Sequence, residues 1–198
     1  MAPGVKSGLS VSEDTMEATG LFAFQDDVRS CADADEQILV APAALTDPDR
    51  VVLGVDPGAS GALAFYRPGR PREILVFDAP LADGQIDGAE LGRLIRDHGA
   101  TEAIVERVSA MPKQGVSSTF KFGMAYGAVL GALGALHIPY RLETPARWKK
   151  HFRLSSDKEQ SRALAIRTWP ASRDFARKKD DGRAEAALLA LYGCEVVR

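Results

Sequence analysis

Short apolar runs separated by turn residues fill the region from residue 51 to residue 106. Three of these runs, over 51–56, 62–66 and 73–78, predict strands, and the tight links between them favour an antiparallel meander. Apolar positions over 88–97 recur with helical spacing, whereas 102–106 is another short strand-like run. The predicted order of elements is therefore three strands, a helix and a fourth strand.

Helices are predicted to predominate after residue 110. The pattern predicts helices over 117–136, 156–169 and 180–192, a strand over 138–142, and a helix that Thr144 caps and Pro145 opens. Residues 156–159 fit a capping box, and Gly193 is expected to end the last helix. Consecutive strands followed by strands that alternate with helices predict an α/β fold, with a mixed five-stranded sheet covered by helices on both faces.

Glycines recur along the predicted helix 117–136, at Gly123, Gly127, Gly131 and Gly134. Residues without a bulky side chain let another backbone approach closely. The close neighbour is either the sheet of the same chain or a second subunit, and the sequence leaves both open.

The first 49 residues differ from the rest of the chain. They show no sustained strand or helix period, and residues 1–50 carry 3 basic and 10 acidic side chains. We predict a disordered or loosely attached segment over 1–49 and one domain over 50–198. The segment lacks the basic and apolar regions of a secretory signal and is too acidic for a typical organellar transit peptide, so we expect it to be neither. No apolar window in the sequence is long enough for a membrane span.

Two cysteines, Cys31 and Cys194, are too few for a disulfide framework or a zinc site. We therefore expect a reducing compartment.

Two predicted strands end in an acid. Asp56 follows an apolar run and precedes a Pro-Gly turn, which is typical either of a turn-capping residue or of a functional carboxylate. Glu106 ends its strand in the same manner. If the two strands are parallel neighbours, both carboxylates lie at one edge of the sheet, where α/β sites usually occur.

A second pair of acids opens the last predicted helix. Asp181 and Glu185 are four residues apart and share a helical face. A solvated helix start explains Asp180 and Asp181. It does not explain Glu185, because the residues that follow it are almost all apolar.

Four carboxylates from three separate segments suit hard divalent cations, which prefer oxygen ligands. Two Mg²⁺ ions about 4 Å apart would clamp the attacking and leaving oxygens of a phosphodiester. The alternative is that the four acids are unrelated helix caps and surface groups. The candidate catalytic and metal-ligating residues are Asp56, Glu106, Asp181 and Glu185.

The charge of the chain is strongly asymmetric. Its net charge of −2 combines −10 over residues 1–110 with +8 over residues 111–198. A basic half can bind phosphates, although a block of like charge is also typical of a solvated face. Candidate DNA-binding residues are Lys113, Lys121, Arg147, Lys149, Lys150, Arg153, Arg177, Lys178 and Lys179.

Aromatic residues are interleaved with these cations. Trp148 and Phe152 are four residues apart and are either nucleic-acid contacts or core anchors. His151 stands between them and is expected to be structural.

Three motifs in this order resemble the RuvC-type Holliday junction resolvases of the RNase H-like superfamily. Within that family the chain is most similar to the phage and bacterial branch that also resembles the plant plastid resolvases. The matching segments are GVDPG at 54–58 with GALA at 61–64, VER at 105–107 and KDDGRAEA at 179–186. The resemblance covers about residues 50–194.

The resemblance implies an RNase H-like nuclease domain over 50–198 and a homodimer that nicks two strands of a four-way DNA junction symmetrically, in recombination and repair. It implies two Mg²⁺ per active site, with Mn²⁺ able to substitute. Asp56 would bridge both ions, and Glu106, Asp181 and Glu185 would complete the ligand set. It also implies no membrane association and a cytoplasmic, nucleoid-associated location, or a plastid one if the source is a plant or alga.

Two positions depart from RuvC itself. RuvC ends its motif with two aspartates three apart, whereas Asp181 and Glu185 are four apart, as in the plastid-like branch. Ser109 stands where RuvC carries a phenylalanine that inserts at the junction. Phe120 and Phe122 are the candidates for an alternative wedge, and a place in the core is equally open to them.

Other functions remain open at this point. An RNase H-like nuclease acting on RNA or on an RNA/DNA hybrid fits the same acids. An ATP-binding actin-like or sugar-kinase-like protein shares the strand-turn around Asp56, but the sequence lacks a second phosphate-binding glycine loop of that kind. A binding module with an inactive site is disfavoured because all four acids are present.

Overall fold

The computed structural model describes residues 47, 49–58, 60–107, 109 and 115–196. Within these residues the strands are β1 (Val52–Asp56), β2 (Ala62–Tyr66), β3 (Ile74–Asp78), β4 (Leu81–Ala82), β5 (Gln85–Ile86), β6 (Glu102–Glu106) and β7 (Tyr140–Glu143). The helices are α1 (Gly88–Asp97), α2 (Val116–Ala135), α3 (Pro145–His151), α4 (Lys158–Thr168) and α5 (Asp181–Val196). The predicted segment 1–49 lies outside the described residues, apart from positions 47 and 49.

Five of the strands form one mixed sheet in the order β3-β2-β1-β6-β7. β1 pairs with β2, and β2 with β3, in antiparallel fashion, whereas β1 with β6 and β6 with β7 are parallel. The meander over the first three strands is thus confirmed, and so is the parallel pairing of the two strands that end in acids.

Helices cover both faces of the sheet, as the alternation along the strands requires. Val52 and Ile104 face an apolar cluster that includes Trp148 of α3, Ala165 of α4 and Leu188 of α5. On the opposite face a second cluster joins alternate residues of the same strands to α1 and α2, through Leu53, Val55, Val105, Leu91 and Val129. The α/β prediction with helices on both faces is confirmed.

Helix α5 lies unusually close to β1 because β1 carries a glycine at the crossing. A Cβ atom on Gly54 would lie 2.0 Å from the carbonyl oxygen of Ala186 and 2.5 Å from the amide nitrogen of Ala190. No side chain fits in that space. Gly54 therefore sets the distance between α5 and the sheet.

The prediction that Gly193 ends the last helix is wrong, because α5 continues to Val196. A Cβ on Gly193 would lie 2.3 Å from Cγ1 of Ile104. Its role is close packing against β6, which a sequence pattern does not distinguish from a helix stop.

The predicted capping box at 156–159 is also wrong in detail. Helix α4 begins at Lys158, and the cap is Asp157, whose carboxylate accepts from the backbone N–H of Glu159 at 3.0 Å. The strand β7 likewise begins at Tyr140, two residues after its predicted start.

A small hairpin that the sequence pattern does not predict lies between β3 and α1. Strands β4 and β5 are antiparallel and enclose Asp83 and Gly84, whose φ angles are 51° and 74°. An Asp-Gly pair with positive φ at both residues is typical of a two-residue hairpin turn. The flanking strands were not recognised because each has only two residues.

The glycines of α2 do not pack on the sheet. A Cβ on Gly123, Gly127, Gly131 or Gly134 would meet no described atom within 4 Å. The residues that α2 buries are Ala125, Val129 and Leu133. Of the two possible close neighbours of these glycines, the sheet of the same chain is therefore excluded.

None of the described helices is both long enough and apolar enough to cross a membrane.

Candidate nuclease site

Asp56 and Glu106 lie side by side at the carboxyl edge of the sheet. Val55 of β1 pairs with Val105 of β6 in a parallel register, so each acid is the next residue on its strand. Glu106 is 9% exposed and Asp56 is partly buried. The turn after Asp56 is closed by its backbone, since the N–H of Gly58 donates to the Asp56 carbonyl oxygen at 3.2 Å.

The first turns of α5 bring Asp181 and Glu185 to the same edge. A Cβ on Gly182 would lie 2.7 Å from the carbonyl oxygen of Ser60 and 3.0 Å from Oδ2 of Asp56. The helix start therefore rests directly on the turn that follows β1. Glu185 is 6% exposed, which agrees with its predicted entry into a buried helix.

Asp180, which precedes this helix, is not the solvated residue that the sequence predicts. It is 2% exposed and accepts hydrogen bonds from the backbone N–H and the guanidinium of Arg177, at 2.7 and 3.0 Å. Burial alone would raise the pKa of Asp180, but these hydrogen bonds hold it below its usual value. Its function in the structure is to anchor the residues before α5.

The four candidate acids form one electrostatic cluster. Burial, followed by the negative charges of Glu106 and Glu185, raises the pKa of Asp56 from 3.8 to about 7; Asp181 adds to this rise and Lys158 opposes it. Burial also raises the pKa of Glu106. A buried carboxylate whose pKa is raised by burial and by neighbouring acids, as that of Asp56 is, is typical of functional sites.

Two lysines offset part of this negative charge. Nζ of Lys149 lies 2.7 Å from Oε1 of Glu185, and Lys158 forms an ion pair with Asp181. The hydrogen bond to Asp181 raises the pKa of Lys158. Within the part of the chain that the structure describes, no group of three or more acidic, histidine or cysteine side chains is arranged as a ready metal site.

Lys158 was not singled out from the sequence, which assigned it only to a capping box. Its position one residue after a helix cap gives no sign of the site. The pair with Asp181 joins residues 23 positions apart and depends on how α4 packs against α5.

Trp148 is a core residue that also touches the site. Its side chain is 0% exposed, and its indole Nε1 donates to Oε1 of Glu106 at 3.0 Å. Of the two interpretations of this aromatic residue, the core one is confirmed. Phe152 is partly buried against the same core, and His151 pairs with Glu195 and contacts the ring of Tyr192.

The candidate DNA-binding residues of α3 and its C-terminal end differ in their surroundings. Lys149 is held by Glu185, and the exposed Arg147 lies 3.5 Å from Glu143. Lys150 and Arg153 are exposed and line an open cavity of about 700 Å³ together with Lys149 and Ser156.

A neighbouring cavity of about 530 Å³ shares Ser156 and reaches one of the four acids, Asp181. Lys158 and Lys178 also line it, together with Asp157 and Glu159. Lys179 is exposed beside it in sequence, and Arg177 is engaged by Asp180. Cations thus extend from α3 to the start of α5.

Lys121 lies on the other side of the strand-turn. It lines an open cavity of about 670 Å³ with Ser60, Gln85, Phe122 and Met124. The ring of Phe122 would lie 3.8 Å from a Cβ on Gly58, so this cavity adjoins the turn after Asp56. Lys113 lies outside the described residues.

The structure also shows the surroundings of Phe120 and Phe122, the candidates for a side chain that inserts at the junction. Phe120 is 67% exposed, which excludes a place in the core of this chain, and Phe122 is partly buried. Ser109 is exposed.

Comparison with solved structures finds RuvC of Thermus thermophilus, both in a structure of RuvC and in one of its complex with a Holliday junction substrate. Each matches with a TM-score of 0.52 and 17% identity, over 74% of this chain and 96% of RuvC. The chain has the RuvC fold. That fold is RNase H-like, as the resemblance of the motifs implies.

A third solved structure, the yeast mitochondrial Holliday junction resolvase Ydc2, matches with a TM-score of 0.46 and 16% identity, over 75% of this chain and 81% of Ydc2. No family model matches the sequence, and no curated protein does so either.

Proposed function

We propose that the protein is a metal-dependent DNA endonuclease that resolves four-way junctions by paired symmetric nicks. The observation that carries this proposal is the cluster of Asp56, Glu106, Asp181 and Glu185 at one edge of an RNase H-like sheet. Three separate segments of the chain supply these carboxylates. A buried cluster of like charge is costly, and since Lys149 and Lys158 pair with Glu185 and Asp181 only, the buried Asp56 and Glu106 call for a further cationic partner.

The chemistry of these donors fits Mg²⁺ or Mn²⁺, since all four are carboxylates. Asp56, Glu106, Asp181 and Glu185 would hold the ions, two per site. Bound ions supply an activated water and stabilise the charge that develops on the phosphodiester oxygens. The chain's own contribution is to hold the four carboxylates in place and to orient the nucleic-acid strand.

Cationic side chains around the acids support a nucleic-acid substrate. The two cavities that share Ser156 are lined by Lys150, Arg153, Lys158 and Lys178 and reach Asp181. Cations that follow a strand backbone give affinity and register through phosphate contacts. Thermus thermophilus RuvC, which has the same fold, has been solved with a Holliday junction substrate.

The homodimer forms part of the same proposal, because paired nicks require two active sites. On α2 the side chains of Val116, Phe120 and Met124 are 87%, 67% and 38% exposed. An exposed apolar stripe of this kind is typical of an interface. We assign α2 to the contact with the second subunit.

Cleavage of a synthetic four-way junction tests the proposal. The native protein is expected to nick the junction with Mg²⁺ or Mn²⁺, and to leave a linear duplex of the same sequence intact. Asp56→Asn is expected to bind the junction but to cut it at least about 100-fold more slowly, because changes outside the ligand set already cost about 10–100-fold.

Three results would contradict parts of this proposal. Cleavage that survives Asp56→Asn contradicts the metal assignment. Faster cleavage of an RNA/DNA hybrid than of the junction makes the protein an RNA-directed nuclease of the same fold. Equal cutting of junction and duplex removes the structure selectivity.

A further inference from the structure

We propose that Trp148 is a positioning residue that fixes the carboxylate of Glu106 for metal binding. This inference rests on the proposed function and adds a residue outside the ligand set. Its basis is the hydrogen bond of 3.0 Å from Nε1 of Trp148 to Oε1 of Glu106, which links residues 42 positions apart.

The topology of the sheet produces this contact. Strand β7 runs parallel to β6, with Glu143 opposite Glu106. Helix α3 begins at Pro145, two residues after β7 ends, so its first turn passes over the end of β6. Trp148 is placed there on the buried side of α3, and both partners of the hydrogen bond are shielded from water.

The indole group suits a positioning function. It is neutral and has one N–H donor and no acceptor, so it cannot ligate an ion and does not compete with one. Its hydrogen bond engages one carboxylate oxygen and restricts rotation of the group. Oε2 of Glu106 accepts no hydrogen bond from the described residues and would be available to an ion. Hydrogen bonds to ligating carboxylates commonly tune metal sites in this way.

The next residue on α3 makes a contrasting contact. Nζ of Lys149 lies 2.7 Å from Oε1 of Glu185 and 5.1 Å from the centre of the Trp148 ring. An ion bound to Glu185 would repel the ammonium group of Lys149, because both are cations. The neutral indole of Trp148 can keep its hydrogen bond to Glu106 with or without an ion.

The chain contains a matched control in its second tryptophan. Trp169 is also 0% exposed and packs in the same apolar cluster. Within the described residues its Nε1 has no hydrogen-bond partner. Replacement by phenylalanine removes the same atoms from the same core at both positions, but only at Trp148 does it remove a contact with an acid of the site.

The first test measures metal affinity by calorimetric titration of Mn²⁺ into the full chain. Trp148→Phe is expected to weaken Mn²⁺ binding about 10–100-fold. Trp169→Phe is expected to bind Mn²⁺ as the native protein does, and unfolding by urea compares the stability lost in each variant. Equal affinities in all three proteins, or equal losses in both variants, overturn the inference.

The second test needs no change at Trp148. The sequence has only 2 tryptophans, so the indole region of a ¹H–¹⁵N spectrum has two signals, and Trp169→Phe assigns them. Titration with Mg²⁺ is expected to shift the Trp148 signal and not the Trp169 signal. A Trp148 signal that stays fixed while Mg²⁺ binds overturns the inference.

Junction cleavage by the native protein separates the two proposals. If the protein binds Mn²⁺ and the affinities follow the expected pattern but no junction is cut, the proposed function fails and the role of Trp148 stands. If the junction is cut and the two variants bind Mn²⁺ alike, the role of Trp148 fails and the function stands.

Discussion

The burial and negative charge of the site have a clear effect on the pKa of Asp56. Burial and the charges of Glu106 and Glu185 raise its pKa to about 7, against 3.8 for an unperturbed aspartate. The folded protein therefore holds a proton on Asp56 more tightly than the unfolded chain does. Between about pH 4 and pH 7, the contribution of Asp56 to stability falls as the pH rises, and this contribution is lost above the folded pKa.

Asp56→Asn is expected to remove this pH dependence. In EDTA at pH 8 the variant should be more stable than the native protein, by on the order of 1–4 kcal/mol, because it has no charge to repel. At pH 4 the two stabilities should converge, since Asp56 is then protonated in the folded state. Urea unfolding from pH 4 to pH 8 measures this difference.

A native protein that stays more stable than Asp56→Asn at pH 8 would contradict the electrostatic description of the site. So would two parallel pH profiles.

At the scale of elements, α5 determines the site more than any other helix. It carries two of the four acids, and its distance from β1 is set by a position where only glycine fits. A Cβ on Gly54 would lie 2.0 Å from the Ala186 carbonyl oxygen, which belongs to the backbone and cannot rotate away. Displacement of α5 would move Asp181 and Glu185 relative to Asp56.

Gly54→Ala is expected to destabilise the domain by about 1–3 kcal/mol or more, because overpacking costs that order and the helix backbone that the new Cβ meets cannot rotate away. The control is Gly88→Ala at the start of α1, where the new Cβ meets no described atom within 4 Å. Alanine there should leave stability unchanged or raise it by up to about 1 kcal/mol. Urea unfolding of both variants measures the contrast, and equal midpoints for Gly54→Ala and the native protein would contradict it.

At the scale of the whole molecule, we propose that the exposed side of α2 holds two subunits together. Phe120→Glu places a charge on the stripe that we assign to the second subunit, and it is expected to convert a dimer into a monomer. Phe120 is 67% exposed, so the fold of the single chain should not change. Light scattering at micromolar concentration measures the mass.

Ile166→Glu is the control for this variant. Ile166 is 40% exposed and lies on α4, which packs with α5 on the opposite face of the sheet. It should leave the dimer intact. A native protein that is already monomeric and still makes paired nicks would contradict the assignment of α2.

Local sequence features predict much of the sheet and single out the acids that we propose as the site. Asp56 and Glu106 end short apolar runs, and Glu185 stands at the edge of an apolar helix, so each is unusual in its own neighbourhood. The meeting of Asp56 and Glu106 follows from one further expectation, the parallel pairing of β1 and β6, which the structure confirms. The approach of Glu185 depends instead on how α5 packs against β1.

Contacts between distant elements are what the sequence does not predict. In the sequence, Gly54 and Gly193 cannot be told apart from glycines that give flexibility or end a helix. In the structure, both allow close packing against an element far along the chain. The hydrogen bond from Trp148 to Glu106 and the ion pair of Lys158 with Asp181 depend in the same way on tertiary packing. No local pattern contains that information.

Mapping of the nicks in a four-way junction tests the central claim most directly. Each of the four strands is labelled in turn, and the products made with Mg²⁺ are resolved at single-nucleotide length. We expect nicks at matching positions in two opposite strands, no nicks in the linear duplex, and none above background with Asp56→Asn. Unpaired nicks at unrelated positions, or the same products from Asp56→Asn, would contradict a two-site resolvase built on these four acids.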